Sequence, residues 1–246
     1  MLPEIRSRTT EIVKRLGPTV VPIGVKLLSS ARELNEIPGV RTLTSTMPCH
    51  MAMMARHEQS EPIIGAPSQA TKCLWGAACL GLIKTPKRLS EGDLNLMVVK
   101  DEEAARKLHE GMCMLGDDRK YAGVIFAPLD HIPVTPDVII MYLNPAQTLR
   151  LIIAFAYHQG EAINCTITGQ ASLCSAIARA VKDGSVTFDI PCMGDRVYGM
   201  VNENELIMAF PINRLDELVQ GLQATDKIAP YPFSPFTRWT LVAPPP

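Results

Sequence analysis

The sequence predicts a single domain of the α/β or α+β class, built from two pseudo-symmetric repeats of strand–helix–loop–helix–strands–helix. Three observations carry that expectation. First, "ARHEQSEPIIGAPSQATKC" (55–73) aligns without a gap on "AYHQGEAINCTITGQASLC" (156–174), sharing Ala55/Ala156, His57/His158, Gln69/Gln170, Ala70/Ala171 and Cys73/Cys174. Five identities in 19 positions exceed the roughly one that average composition gives. Second, a β-branched run and then an apolar helical stretch precede each copy. Third, a small-residue helix follows each copy. Agreement in order across several elements favours duplication over a chance likeness of two βα-rich stretches.

The elements follow in order. "MLPEIRSRTTEIVKRLG" has helical period, with Ile5, Ile12, Val13 and Leu16 on one stripe. It is charged and lacks an apolar core, so it predicts a helix and not a secretory signal. "VPIGVKLL" (21–28) and "PDVIIMYL" (136–143) predict mostly buried strands, by length and flanking prolines. "CHMAMMARH" and "AQTLRLIIAFAYH" are apolar on most faces and predict buried helices. "KCLWGAACLGL" and "LCSAIARAV" predict a further helix each, with Thr71 and Ser172 as N-caps. Segments 94–112 and 203–223 each predict a short strand feeding a helix that ends at Gly111 or Gly221, where glycine suits a left-handed C-cap. The second copy is longer around "GSVTFDIPCMGDRVYGMV", a connection in which insertions are well tolerated.

The short polar stretch 111–123 divides the chain into residues 1–115 (N-terminal helix and first repeat) and 116–225 (second repeat), two lobes packed as one domain. Residues 226–246 form a proline and aromatic arm. Its Tyr231, Phe233, Phe236 and Trp239 predict an extended segment packed on the body or on a neighbouring subunit, which favours a homodimer. Pro244–Pro246 read as a frayed end.

Composition narrows the function. Hydrophobic residues make up 47% and charged residues 20% of 246 residues, with a net charge of -1. Disorder is excluded, and no basic stripe suggests nucleic acid. No apolar run reaches the roughly 18 to 20 residues that span a bilayer. Seven cysteines, an odd number in a chain of this length, read as reduced thiols of a cytoplasmic protein. The sequon at Asn164-Cys165-Thr166 then has no role.

Cys73 and Cys174 are placed in the first turn of their helices, where free N–H groups and the helix dipole lower a thiol's pKa. Each is a candidate nucleophile or metal ligand, and equally a small buried packing residue. His57 and His158 end equivalent helices. Either caps a helix C-terminus, or meets a cysteine across the pseudo-twofold axis as an acid–base partner. Cys49 and His50 sit in the Met-rich "MPCHMAMM". No C-x-x-C or zinc-finger spacing occurs, so a metal site would be assembled in three dimensions, from Cys49, Cys73, Cys174 and Cys192. In "IPCMGDRVYG", Gly194 permits a tight turn, Asp195 can accept backbone N–H bonds and Arg196 can clamp an anion. A strand-to-strand turn with a paired arginine is the structural alternative. Trp75 is a candidate pocket wall. Dinucleotide, P-loop, G-x-S-x-G and H-E-x-x-H fingerprints are absent.

Taken together, "VPIGVKL", Cys73-x-x-Gly76-Ala77 running into Leu80-Gly81-Leu82, Pro136-Asp137-Val138 followed by Pro145 and Gln147, and Cys192-x-Gly194-x-Arg196 resemble domain-of-unknown-function family 169 of archaea and bacteria, over about Ile12 to Leu222. The resemblance implies a single soluble prokaryotic domain and carries no established reaction. The Met-rich segment and the proline-aromatic tail depart from the pattern.

Two functions are expected. One is an enzyme that binds a small molecule between the repeats, with a Cys73 or Cys174 thiolate, a His57 or His158 acid–base partner, and Arg196, Asp195, Gly194 and Trp75 holding the substrate. The alternative is a non-catalytic protein whose cysteines ligate a metal or an iron–sulfur cluster.

Overall fold

The computed structural model describes residues 1–17, 19–58, 62–118 and 120–233. The first element is α1 (Leu2–Leu16), which buries Ile5, Thr9, Ile12 and Leu16 at helical spacing. Then come β1 (Ile23–Leu28), α2 (Glu33–Glu36), β2 (Arg41–Thr42), α3 (Pro48–His57), β3 (Ile64–Pro67), α4 (Leu74–Cys79), α5 (Lys87–Ser90) and α6 (Glu102–Glu110). The chain continues through β4 (Gly123–Pro128), β5 (Val138–Leu143), α7 (Pro145–Gln159), α8 (Ser172–Asp183), β6 (Thr187–Asp189), α9 (Met193–Tyr198), β7 (Leu206–Pro211) and α10 (Leu215–Ala224). Among the described residues, no helix is long and apolar enough to cross a membrane.

Among the described residues, seven strands join one mixed sheet in the order β2-β3-β4-β1-β5-β7-β6, antiparallel at every pairing except β2 with β3. Helices cover both faces. Val138, Ile140 and Tyr142 of β5 pack with α3, α4 and α8, while Ile139, Met141 and Leu143 pack with α1, α7 and α10. A strand covered on both faces reads as an unbroken apolar run, which is why "VIIMYL" does not alternate with polar residues.

Local chemistry fixes the central elements. Asp137, just ahead of β5, accepts the Leu27 N–H at 2.8 Å and pairs with Lys26 at 2.9 Å, tying β1 to the start of β5. Asn144 and Gln147 form a reciprocal cap on α7, with Pro145 at the first helical position. On α7 the fully buried Arg150 donates to Thr225 Oγ1 at 2.7 Å and to the Leu222 carbonyl at 2.5 Å, satisfying one of the free carbonyls at the end of α10.

Several expectations need correction. Residues 94–99 form no strand. They make a 3-10 turn at Asp93–Asn95 followed by turns, and the buried Asn95 serves as a hydrogen-bonding post there. Gly111 is right-handed and Gly221 lies inside α10, so neither is a left-handed C-cap. The N-cap of α4 is Cys73 rather than Thr71, which instead bridges Thr46, and that of α8 is Ala171 at φ 51°.

The strand order β3-β4-β1-β5-β7-β6 reads the same outwards in both directions from the β1–β5 seam. The helices break that symmetry. α3 and α7 lie on opposite faces of the sheet, and β3 precedes α4 whereas β6 follows α8. Tyr231 of the C-terminal arm accepts a hydrogen bond from Asn144 at 3.1 Å. Phe236, Trp239 and Pro244–Pro246 lie outside the described residues.

Gly221 sits where α10 meets α7: a side-chain carbon there would stand 1.9 Å from the Ala154 carbonyl oxygen. Alanine is the better helix former by about 1 kcal/mol. At this position a backbone clash outweighs that gain, and overpacking costs about 1–3 kcal/mol. Gly221→Ala is expected to lower the urea midpoint of unfolding; an unchanged or raised midpoint would show that the two helices can part freely.

Candidate functional site

Four helices start at one place. α3 begins with Pro48, whose missing N–H and fixed φ suit the first helical position, and Cys49 follows it. Cys73 caps α4, its sulfur accepting the Gly76 N–H at 3.4 Å. Cys174 is the third residue of α8. Cys192 caps α9 reciprocally with Asp195: its sulfur receives the Asp195 N–H, and Asp195 Oδ2 receives the Cys192 N–H at 3.1 Å. All four thiols line one cavity of about 360 Å³, together with Asp195, Gly76, Gly194, Trp75, Met47, Met97, Met193 and Tyr198.

Glycines make the convergence possible. A side-chain carbon on Gly76 would lie 2.9 Å from Pro48 Cγ and 3.2 Å from Cys174 Sγ, so three helix starts meet around it. On Gly194 it would stand 3.6 Å from Cys192 Sγ and 4.0 Å from Cys49 Sγ. Both are ordinary contact distances, so Gly194 marks where two thiols approach; it lies within a helix rather than in the tight turn expected. Trp75 is half-buried and held in place, its Nε1 donating to Asn95 Oδ1 at 3.1 Å.

The other expected residues stand elsewhere. His57 ends α3, eight residues beyond Cys49 and so about 12 Å along the helix axis. It does not line the cavity. Burial, with Arg56 beside it, lowers its pKa, against the opposing pull of Glu205. His158 is on α7, across the sheet from the thiols, and its ring meets Tyr157 edge-on at 5.1 Å. A Cys–His pair across a twofold axis is thus not formed, because the sheet separates α7 from the cysteines. Arg196 is half-buried and donates to the Asn202 carbonyl at 2.7 Å, outside the cavity. The cation that lines the cavity is Lys72, which donates to the Gln69 carbonyl at 3.1 Å.

Sequence reasoning missed the three methionine sulfurs, Lys72, Leu74 and Tyr198 on the cavity wall. The Met-rich composition was a usable signal, although Met51 and Met54 of the same segment do fill the core. Cys79, Cys113 and Cys165 stand apart from the cavity. Cys79 packs 3.5 Å from Met114 Sδ, Ser175 Oγ accepts the Cys113 N–H, and Cys165 accepts the Phe188 N–H.

Burial decides the protonation of the four thiols. It is the largest influence on Cys49, pushed up to about 12, and on Cys192, pushed up to about 11; the nearby Asp195 adds to both. It also raises Cys73 and, further, Cys174. Amide donors work the other way, from His50 on Cys49, Gly76 and Trp75 on Cys73, and Asp195 and Ser172 on Cys192. They do not outweigh burial. The lowered thiol pKa expected at these helix starts is therefore corrected, and with no histidine on the wall the thiols have no imidazole base. Asp195, almost wholly buried, is itself raised by burial despite hydrogen bonds from Cys192 and Leu173. Among the described residues, no group of three or more His, Cys, Asp or Glu side chains is gathered so as to hold a metal ion.

In the metal-free protein, iodoacetamide modification of Cys192, followed by mass spectrometry, is expected to speed up about tenfold per pH unit from pH 7 to 9 without a plateau, because a thiol with a pKa near 11 stays protonated throughout that range. A plateau below pH 9 would reveal a thiolate already formed.

Comparison with known proteins supplies the lineage. Residues 11–221 match the family DUF169, described as Uncharacterised ArCR. The chain is 30% identical over 225 residues, 89% of its own length and 94% of the relative's, to the "Uncharacterized protein MJ0308" of Methanocaldococcus jannaschii. No solved structure matches it. With most of its sheet and all four pocket cysteines inside the matched region, the chain belongs to the DUF169 family.

Proposed function

We propose that this protein binds an iron–sulfur cluster through Cys49, Cys73, Cys174 and Cys192. The observation that supports it is the arrival of four cysteines from four separate segments at one cavity, each in the first turn of its own helix. Cysteines used only for packing have no reason to share a cavity or a position within their helices, and Cys79, Cys113 and Cys165 do neither.

The chemistry of the wall fits. A cluster carries negative charge on its sulfurs, and backbone N–H groups near such sulfurs stabilise it and tune its potential. Here amides of Gly76, Trp75, Asp195 and Ser172 already face Cys73 and Cys192. Soft thiolates favour iron–sulfur clusters, zinc and Cu(I) over hard cations. A single tetrahedral zinc, with Zn–S bonds of about 2.3 Å, needs its sulfurs within about 4 Å of each other. Among the described residues no three such ligands are gathered to hold a metal ion, and a cluster differs from zinc in sharing its four thiolates among several irons.

On the reading of the chain as two related units, Cys73 and Cys174 are equivalent positions that each give one ligand. Reduced, metal-bound thiols suit the cytoplasm. A Cu(I) site is the second reading, favoured by the thioethers of Met47, Met97 and Met193 on the same wall.

The test is iron, copper and acid-labile sulfide analysis, with a visible spectrum, of protein purified without oxygen. Iron and sulfide in similar amounts, with colour bleached by reduction, are expected. Cys49→Ser and Cys192→Ser should lose that iron about tenfold or more, while Cys165→Ser keeps it. Copper without sulfide would replace the cluster by the second reading. A protein with neither, after reconstitution with iron and sulfide, would end both.

A further inference from the structure

The cavity is not closed over its thiols. Cys49, Cys174 and Asp195 lie deep, whereas Met97 is 72%, Met193 69% and Tyr198 50% exposed at the mouth. These are among the most exposed large apolar residues of the described chain. They belong to two segments, 96–98 and 193–200, that also expose Leu96, Val98, Val197 and Met200. Soluble proteins rarely leave apolar surface gathered at a concavity unless something binds there.

Its walls specify the occupant. Lys72 and Asp195 are the charged side chains on the wall. Asp195 is buried and holds the Cys192 N–H, whereas Lys72 is exposed at the rim, donates to the Gln69 carbonyl and keeps its charge in solvent. What remains is aromatic, thioether and aliphatic surface, with the Gln170 side chain and the Tyr198 hydroxyl as polar handles. The Trp75 indole is preorganised: its anchor, Asn95, is fully buried and donates in turn to the Ala105 carbonyl at 3.4 Å. A fixed aromatic face loses little freedom on binding and favours a flat partner.

We propose that the mouth of this cavity binds a neutral, largely apolar organic molecule against Trp75, with Met97, Met193 and Tyr198 closing on it. This deepens the reading of the four-cysteine pocket, and rests on it, by naming the class of molecule brought to the metal centre. A charged ligand is disfavoured because it would leave water for a largely apolar wall whose one cation, Lys72, is exposed and screened by solvent, and which also carries Asp195.

The test compares two probes that share one ring system and differ in charge, 2-naphthalenemethanol and 2-naphthalenesulfonate. Each is titrated by calorimetry into full-length protein under argon, and iron and sulfide are measured on the same preparation. One saturable site for the alcohol is expected, at least tenfold tighter than for the sulfonate. Met97→Asp and Tyr198→Ala change exposed side chains, so the fold should survive, and each should weaken the alcohol about tenfold. Trp75→Ala should abolish its binding. Equal or tighter binding of the sulfonate, no binding of the alcohol, or no effect of both surface variants would overturn the proposal. Iron and sulfide present without alcohol binding would sink this inference alone. Alcohol binding that responds to the variants, in protein that takes up no metal, would uphold the slot and sink the cluster.

Discussion

The candidate site depends on the close approach of three helix starts around Gly76. With no side chain at that position, Pro48 at the head of α3 and Cys174 at the head of α8 can both come within van der Waals reach of α4. Those contacts carry Cys49, Cys73 and Cys174 to the same cavity, which Cys192 joins from the start of α9. Three of these helices belong to the layer built on the β5 side chains Val138, Ile140 and Tyr142. The doubly covered sheet is therefore the platform on which the thiols are registered.

Two opposed electrostatic influences meet in the cavity. Withdrawal from water favours neutral thiols, while helix starts and backbone amides favour thiolates. In the metal-free protein burial prevails. The amide donors are then arranged for a charge that the protein does not itself generate, since the thiols stay protonated until something with positive charge replaces the protons. That arrangement suits metal ligation better than Cys–His catalysis, which would ask for an imidazole beside the sulfur. The polar groups that could supply one, His57 and His158, are held at the far end of α3 and on the other side of the sheet.

Many of the elements were legible from the chain. "VPIGVKLL" and "PDVIIMYL" became β1 and β5 because unbroken apolar runs of strand length bury well on two faces. The apolar helices leading into His57 and His158 became α3 and α7. Residues 94–99 misled because an apolar run of strand-like composition can instead wrap a surface, as this one does around the buried Asn95. Gly221 misled because a glycine near a helix end can serve close packing as well as capping. The choice depends on the neighbouring helix, which local sequence does not describe.

By itself the sequence determined a mixed α and β domain, its main strands and helices, its family, and the four cysteines that could form a centre. Only the tertiary structure decided that the four share one cavity and that the histidines do not. Residues far apart in sequence become neighbours through the crossing of helices over a sheet. That crossing is set by the small residues between them, and no spacing along the chain records it. The same holds for the thiols' protonation, since desolvation depends on everything packed around a sulfur and not on the residues beside it in the sequence.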